Sequence, residues 1–466
     1  MIFIFILIFG VLFLFWNIRA IAPGNKGSLT AGAIVILLPI CFFFREHFWA
    51  CIGQAFLSVW LCEALLIYLG WWAVRFIRRA FRPKRPLPPS SAKRAARILL
   101  VASIAISAGM CIYGVHHNDD YVIRNAECRM QNAKLESGDV NAECGMRNFV
   151  EASETAELAR ALPSRSQNEC EALMQNAELK SSADSASRHC EPVGRGNPSD
   201  SGMDFADDFS GNVAGDSSAD SAVSASNNSA FSIHNSEFTI LFFSDLHLDP
   251  LFNGEKLQRM VQDAKRLHPD LILFGGDLAD MHTDALNDLG YDSLFRQLSA
   301  AATIATIAVN GNHEGYMERS GSDPHGWLRQ NGFIVLDDST ACTKVACITG
   351  RTDTQVARAR DMERKTLAQL LPVAHNALPW LLLDHQPKGI EPEHSGRLPN
   401  LALSGHTHDG QFFPGTIIIN WVWRLAYGFG KLDGVKWLVT SGIGSWGPPV
   451  RVGSDTEMWF IEFRTN

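Results

Sequence analysis

Two hydrophobic patterns divide this chain. Long runs with almost no charge occupy residues 1–16, 29–44, 48–74 and 98–115. Short apolar runs rich in branched or aromatic side chains follow residue 236, namely FTILFF, LILF, TIATIAV, WLLL and LAL. A membrane-spanning helix needs roughly 20 apolar residues, whereas short runs bounded by polar residues are typical of buried strands. The sequence therefore predicts an all-α membrane region of about four transmembrane helices, followed by an α/β domain.

The composition changes between these two regions. Residues 118–236 have few aromatic or branched side chains and many Ser, Asn, Ala and acidic residues, a composition that does not bury a core. Asn-Ala repeats within this segment are irregularly spaced and lack the fixed period of a solenoid. We therefore predict a transmembrane region over 1–117, a low-complexity, disordered insertion over 118–236 and a catalytic domain over 237–466.

The distribution of charge predicts an orientation. The chain has 41 lysines and arginines, 49 acidic residues and a net charge of −8, and nucleic acid is not an expected partner. Nine lysines and arginines lie between residues 75 and 97 without an acidic residue, which places that loop in the cytoplasm. We therefore predict an integral protein of the bacterial inner membrane type, with its catalytic domain outside the cytoplasm. The first two runs are short, so a hairpin or partial insertion there is the alternative.

Polar motifs follow the five short runs. They are Ser244-Asp-Leu-His247, Gly276-Asp-Leu-Ala-Asp280, Gly311-Asn-His-Glu314, Asp384-His-Gln386 and Gly405-His-Thr-His408. Sheet enzymes carry their chemistry at strand ends, and strand residues two apart point the same way. Each motif alone is typical of a turn or a helix cap, but their joint occurrence behind strands favours a metal site.

The ligand types indicate the chemistry of that site. Phosphoester hydrolysis is helped by two divalent cations about 3.5 to 4 Å apart, which need a bridging carboxylate. Asp277 is the candidate bridge, with Asp245 and His247 on one ion and Asn312 and His385 on the other. His406 and His408 can each reach the site. Mixed imidazole, carboxylate and amide ligation suits Mn²⁺, Fe or Zn²⁺, so two divalent ions are the predicted cofactors.

These motifs resemble the calcineurin-like metallophosphoesterase superfamily. Leu403 to Gln411, Tyr427 to Gly430 and Ser441 to Arg451 also resemble its membrane-associated YkuE/YaeI-type branch, and the resemblance covers residues 237–463. It implies a two-sheet β-sandwich flanked by helices. It also implies one ion on Asp245, His247, Asp277 and His408, and the other on Asp277, Asn312, His385 and His406.

The resemblance also implies roles for two further residues. His313 would protonate the leaving oxygen or stabilise the phosphoryl charge, and Arg451 is a candidate substrate contact whose alternative is a surface ion pair. Asp409 departs from the branch, which has glycine at that position. Asp280 and Glu314 are predicted to hydrogen bond to ligand groups rather than to bind metal.

The sequence predicts a metal-dependent phosphoesterase with a phosphoester substrate. A membrane tether would favour a phospholipid or another envelope phosphoester, and the aromatic residues Trp421, Trp423, Tyr427 and Phe429 would either approach an interface or lie in the core. The alternatives are a pyrophosphatase acting on a nucleotide-linked lipid precursor and a membrane scaffold with an inert phosphatase fold.

Cys342 and Cys347 lie in a predicted hairpin over residues 340–349, with its turn at Lys344-Val345. This register places the two residues opposite each other, so a disulfide and two buried free thiols both remain open.

Overall fold

A computed structural model describes residues 89–130, 142–146, 237–372 and 378–465, together with scattered positions between 52 and 80. The helices, in chain order, are α1 Pro89–Asp119, α2 Gly254–Leu267, α3 Thr283–Asp288, α4 Tyr291–Ser299, α5 Asn312–Arg319, α6 Pro324–Gln330, α7 Thr354–Ala359 and α8 Gly415–Val422. Short 3-10 turns lie at Leu367–Leu370 and His408–Gly410.

Thirteen strands of the described chain form two mixed sheets. The strands are β1 Val122–Met130, β2 Ala142–Met146, β3 Glu237–Phe243, β4 Leu271–Phe274, β5 Ala305–Ala308, β6 Ile334–Val335, β7 Ser339–Cys342, β8 Cys347–Gly350, β9 Trp380–Leu383, β10 Leu401–Ser404, β11 Gly428–Leu432, β12 Val435–Val439 and β13 Glu457–Thr465. The first sheet has the order β2-β1-β13-β3-β4-β5-β6, and the second has the order β11-β12-β10-β9-β8-β7.

Strand β3 shows why the short apolar runs become central strands. Phe238, Ile240 and Phe242 point into the core between the two sheets. Leu241 and Phe243 point to the opposite face, which packs against helices. A strand buried on both faces needs apolar residues at every position rather than at alternate ones. The nearly continuous run FTILFF is therefore the pattern that this position in the sheet requires.

The second sheet repeats this arrangement. Leu381 and Leu383 of β9 face the core between the sheets, while Trp380 and Leu382 pack into a separate cluster on the outer face. All five apolar runs that were predicted as strands form β3, β4, β5, β9 and β10. The predicted two-sheet sandwich with flanking helices is present.

Residues 122–130 and 142–146 add two strands to the first sheet. Strand β1 pairs in parallel with β13 along nine residues, and β2 pairs with β1 in antiparallel orientation. The side chains of Ala126 and Cys128 are buried against the core between the sheets. The sequence gives no sign of these strands, because it places both of them within the low-complexity insertion.

The predicted hairpin is present at β7 and β8, where Cys342 pairs with Cys347. These two residues form a disulfide, so the structure selects the bridged alternative. Their Cα atoms lie 4.0 Å apart.

The prediction of a membrane region is corrected by the structure. Among the residues described, no helix is long and apolar enough to cross a membrane. The run at 98–115 lies inside α1, and the first turns of this helix carry Lys93 and Arg94. Its last turns pack on the domain, where the backbone amide of Arg451 donates to the carbonyl oxygen of Gly114. The prediction rested on the length of the apolar run, which indicates neither the basic residues of the first turns nor the packing of the last turns.

The predicted class of fold, with four transmembrane helices before the sandwich, is therefore wrong in its membrane part. The predicted location as an integral membrane protein with its catalytic domain outside the cytoplasm is corrected with it. The runs at 1–16 and 29–44 lie outside the described residues, and the run at 48–74 is described only at scattered positions.

Candidate metal centre

The predicted ligands meet at one edge of the sandwich. Asp245 and Asp277 follow β3 and β4, and Asn312 begins α5 just after β5. His385 follows β9 in the second sheet, and His406 follows β10. Parallel pairing of β3 with β4, of β4 with β5 and of β9 with β10 brings the carboxyl ends of these strands to the same edge. Both sheets therefore contribute to one site.

Two groups of side chains at this edge have metal-ligand geometry. Ligand atoms of Asp245, His247 and His408 lie within 4.8 Å of one another, and so do those of Asp277, His385 and His406. A third group joins His247 and Asp277 to His313. Six of the seven predicted ligands therefore occur in these two groups, and the seventh, Asn312, directly precedes His313 in the chain.

Asp277 lies between the two groups. Its Oδ2 atom is 3.1 Å from Nε2 of His385 and 3.5 Å from Nε2 of His247. Its Oδ1 atom accepts a hydrogen bond of 2.8 Å from the backbone amide of His313. One carboxylate thus faces a histidine of each group, which is the geometry that a bridging ligand needs.

Most of the side-chain atoms that face one another in this site are hydrogen-bond acceptors. Such an arrangement suits cations. Nδ1 of His385 donates to the carbonyl oxygen of Gly275 at 2.8 Å, so in the neutral ring Nε2 is the nitrogen whose lone pair is available to a cation. Within the described chain, this Nε2 atom and the buried Oδ1 atom of Asn312 have no hydrogen-bond partner. Buried acceptors without partners are costly, and divalent cations would satisfy them. The residues therefore fit a metal pair.

The pKa shifts follow from the same crowding of acceptors. Burial disfavours the charged form of His385, but the carboxylates of Asp277 and Asp245 outweigh it and raise its pKa well above the usual value. Burial, with a contribution from His385, lowers the pKa of His406 to about 3. Burial likewise lowers the pKa of His408 well below its usual value. The buried carboxylates thus stabilise positive charge in this site, while the lowered pKa values of His406 and His408 keep those two imidazoles neutral and able to bind a cation.

Several ligands have unusual backbone conformations. Asp245, His247, Asp277, His406 and His408 all have positive φ angles, between 47° and 71°. Such angles are uncommon outside glycine and are found where function requires them. A Cβ atom at Gly405 would lie 2.0 Å from Oδ2 of Asp245, so only glycine permits this approach of the two loops.

Two carboxylates support the site without joining the ligand groups, as the sequence predicts. Glu314 is fully buried and accepts hydrogen bonds from the backbone amides of Gly311, Asp277 and Leu278. These bonds fix the backbone that carries Asp277. Asp280 contacts Nδ1 of His247 at 3.3 Å. Burial raises the pKa of Asp280, but interactions with His247 and with His313 dominate and lower it well below its usual value.

His313 lies beside the ligand groups. Its Nδ1 atom contacts Oδ1 of Asp280, and its ring packs edge-on against that of His247 with centroids 4.5 Å apart. Because Nδ1 faces a carboxylate, Nε2 is left for a reacting group.

Arg451 is placed differently from its predicted position. The residue is fully buried, and its Nη2 atom lies 3.1 Å from Nδ1 of His408, on the side away from the other ligands. Sequence reasoning missed this supporting position, as well as the contact of Ser445 with the same guanidinium. The resemblance of the segment from Ser441 to Arg451 draws attention to this arginine, but no feature of the sequence distinguishes a buried arginine from one that binds substrate.

The aromatic cluster divides into two parts. The ring of Trp423 packs edge-on against His406 with centroids 5.2 Å apart, and Trp421 is 78% exposed. Tyr427 donates to Oε2 of Glu457, and Phe429 packs against Trp459. Trp421 therefore lies at the surface and the half-buried Trp423 contacts the site, while Tyr427 and Phe429 pack within the domain.

Comparison with known families supports this description. Residues 238–410 match the family model for calcineurin-like phosphoesterases, and the motif residues from Asp245 to His408 fall inside that match. Residues 238–410 therefore form a domain of the calcineurin-like metallophosphoesterase superfamily.

Curated relatives are similar to parts of the chain. An uncharacterized metallophosphoesterase of Helicobacter pylori strain J99 is 28% identical over 229 residues, which cover 49% of this chain and 60% of that protein. The transmembrane protein with metallophosphoesterase domain of Danio rerio is 30% identical, with 47% and 51% covered. The uncharacterized metallophosphoesterase YkuE of Bacillus subtilis is 32% identical, with 39% and 63% covered. The chain therefore spans half to two thirds of the length of these relatives.

Proposed function

We propose that this protein hydrolyses phosphoesters at a dinuclear metal centre on the edge of the sandwich. The observation that carries the proposal is the position of Asp277, whose Oδ2 atom faces His247 of one ligand group and His385 of the other. Two divalent cations held there would neutralise the phosphoryl oxygens and activate water. The donor set of imidazole, carboxylate and amide favours Mn²⁺, Fe or Zn²⁺.

The ligands divide between two positions in this proposal. Asp245, His247 and His408 form the first, and His385, His406 and the Oδ1 atom of Asn312 form the second, with Asp277 shared. The hydrogen bond from Nδ1 of His385 to a backbone carbonyl fixes the tautomer that leaves Nε2 free to bind. Asp280 acts in the same way on Nδ1 of His247.

His313 transfers a proton to the leaving oxygen in the proposed reaction. Asp280 holds its Nδ1 atom, so Nε2 is the ring nitrogen left for a substrate oxygen. The side chain is about 14% exposed, which gives a substrate oxygen access to it. A proton held on Nε2 neutralises the departing alkoxide as the bond to phosphorus breaks.

Turnover of bis(p-nitrophenyl) phosphate by the full-length chain tests the reaction. We expect hydrolysis that depends on added Mn²⁺, that a chelator abolishes, and that Asp277→Asn reduces by at least a hundredfold. Asp288→Asn is the matched control, because Asp288 is an exposed carboxylate away from the site. Equal turnover by the two variants, or turnover unaffected by the chelator, would overturn the proposal.

We further propose that the substrate carries an apolar chain. Helix α8 has the sequence GTIIINWV and buries none of its residues. This apolar surface continues into the site, because Trp423 caps α8 and packs against His406. An amphiphilic phosphoester, such as a phospholipid in detergent micelles, would place its phosphate at the metals and its chain along α8.

Substrates with and without a chain test this assignment. We expect Trp421→Ser to raise KM for a long-chain phosphatidyl ester several-fold and to leave kcat/KM for bis(p-nitrophenyl) phosphate unchanged. Equal effects on both substrates, or no effect on either, would contradict the assignment without touching the proposed reaction.

A further inference from the structure

Arg451 is a fully buried cation beside the metal centre. All of its side-chain nitrogens contact acceptors. Nη1 donates to the carbonyl oxygens of His408 and Asp455, both at 3.1 Å, and Nη2 donates to those of Ser441 at 2.8 Å and Gly444 at 2.6 Å. One buried guanidinium therefore joins the loop that carries His408 to two other loops of the domain.

These contacts fix His408 in particular. Its φ angle is 52°, in the left-handed region that non-glycine residues avoid. The bond from Nη1 to the carbonyl oxygen of His408 holds that conformation, and Nη2 lies 3.1 Å from Nδ1 of the ring. The ring of His408 is therefore confined with Nε2 turned toward His247, whose Nε2 atom is 3.1 Å away.

Arg451 is in turn held by the last turns of α1. Its backbone amide donates to the carbonyl oxygen of Gly114 at 2.9 Å. Its Nε atom donates to Oγ of Ser445 at 3.2 Å, and that hydroxyl donates to Oδ1 of Asn118 at 2.6 Å. A hydrogen-bonded path thus runs from Asn118 through Ser445 and Arg451 to His408.

The end of α1 is fixed to the domain by further contacts. Nζ of Lys256 donates to the carbonyl oxygen of Asn118 at 2.6 Å, and Nη2 of Arg259 donates to that of Asp119 at 2.5 Å. Cations suit this place, because the carbonyl groups at a helix C-terminus carry partial negative charge. A Cβ atom at Gly114 would lie 2.6 Å from the side chain of Val450, so helix and domain are in close contact.

We propose that Asn118 and Arg451 are positioning residues for the metal ligand His408, so that the last turn of α1 is part of the catalytic site. The inference rests on the proposed dinuclear function and concerns only the ion held by Asp245, His247 and His408. The family match begins at residue 238 and does not include this helix.

The test measures Mn²⁺ binding to the full-length chain by equilibrium dialysis and metal analysis, together with the melting temperature of the metal-free protein. Removal of a group that orients a metal ligand typically weakens metal binding by about 10- to 100-fold. We expect Asn118→Ala to weaken one of two ions by about tenfold and to leave the other unchanged. Asn118→Asp keeps an oxygen acceptor for Ser445 and should restore binding.

Asn125→Ala is the matched control, because Asn125 is an exposed asparagine of the same segment. Arg451→Lys, which keeps the charge but loses the fork of donors, should have the same selective effect as Asn118→Ala. Unchanged affinity for both ions in Asn118→Ala would overturn the inference. Equal weakening of both ions with a lower melting temperature would also overturn it, because it indicates general destabilisation. A wild-type chain that binds no second ion would refute the proposed function instead.

Discussion

Oδ1 of Asp280 lies 3.3 Å from Nδ1 of His247. The same oxygen contacts Nδ1 of His313, so one carboxylate orients both a proposed metal ligand and the proposed proton donor. Asp280→Asn removes the charge and leaves one amide oxygen for two donors. We expect kcat for bis(p-nitrophenyl) phosphate to fall by about 10- to 100-fold, and Mn²⁺ affinity to weaken at one ion.

Asp284→Asn serves as the control for this change, since Asp284 is an exposed carboxylate that contacts His282. Steady-state kinetics and metal titration of both variants give the comparison. Wild-type kcat and affinity in Asp280→Asn would mean that neither histidine depends on this carboxylate.

His313 is expected to act on the leaving group rather than on the metals. General acid catalysis is worth about 10² to 10⁴ in rate and matters most for a strongly basic leaving oxygen. His313→Ala should therefore retain both ions, hydrolyse a nitrophenyl ester with a modest loss and fail on an alkyl ester. Rates with the two esters and metal content provide the measurement.

Two other results would assign His313 differently. Equal losses on the nitrophenyl and alkyl esters would favour stabilisation of the phosphoryl charge. Loss of an ion would show that His313 is a metal ligand. This alternative is open because His313 lies in one of the three groups with ligand geometry.

The predicted insertion should divide into a part that the enzyme needs and a part that it does not. Strand β1 pairs with β13, and Arg124 forms an ion pair with the buried Glu457. Replacement of residues 151–233 by a short Gly/Ser linker removes no candidate site residue, and we expect turnover within about twofold of wild type. Deletion of 118–236 also removes β1 and should prevent folding. Circular dichroism and turnover of the two deletions would show whether this division is correct.

Acid should weaken an ion-pair network around Glu318. Burial raises the pKa of Glu318, but hydrogen bonds from His325 and Arg360 outweigh it and lower the pKa to about 2, from 4.5. A depressed carboxylate pKa adds stability above the unfolded-state pKa, and this stability is lost as pH falls through the folded-state value. Between about pH 5 and pH 2, the urea midpoint of the wild type should fall more steeply than that of Glu318→Gln. Parallel curves would show that the network contributes no pH dependence.

The sequence predicts the central strands and the convergence of the ligands for one physical reason. Strands buried on both faces, such as β3 and β9, are nearly continuous apolar runs and stand out from their surroundings. The polar residues that end them are then brought to one edge by parallel pairing. The convergence of Asp245, Asp277 and His385 at this edge can therefore be predicted from the sequence.

The parts that could not be predicted lack such a signal. In β1, the small residues Ala126 and Cys128 are buried, while the polar residues Arg124 and Asn125 make the segment look like a linker. Arg451 is buried only because α1 and the neighbouring loops close over it, and no local pattern records contacts made across more than 300 residues. Conversely, the run at 98–115 is long enough to predict a membrane-spanning helix, but no helix among the described residues is long and apolar enough to cross a membrane.

Anomalous diffraction from crystals of the full-length chain grown with Mn²⁺ would locate the ions of the proposed dinuclear centre. We expect two peaks about 3.5 to 4 Å apart, one beside Asp245, His247 and His408 and one beside Asn312, His385 and His406, with the carboxylate of Asp277 between them. A single peak, or two peaks that Asp277 does not join, would contradict it.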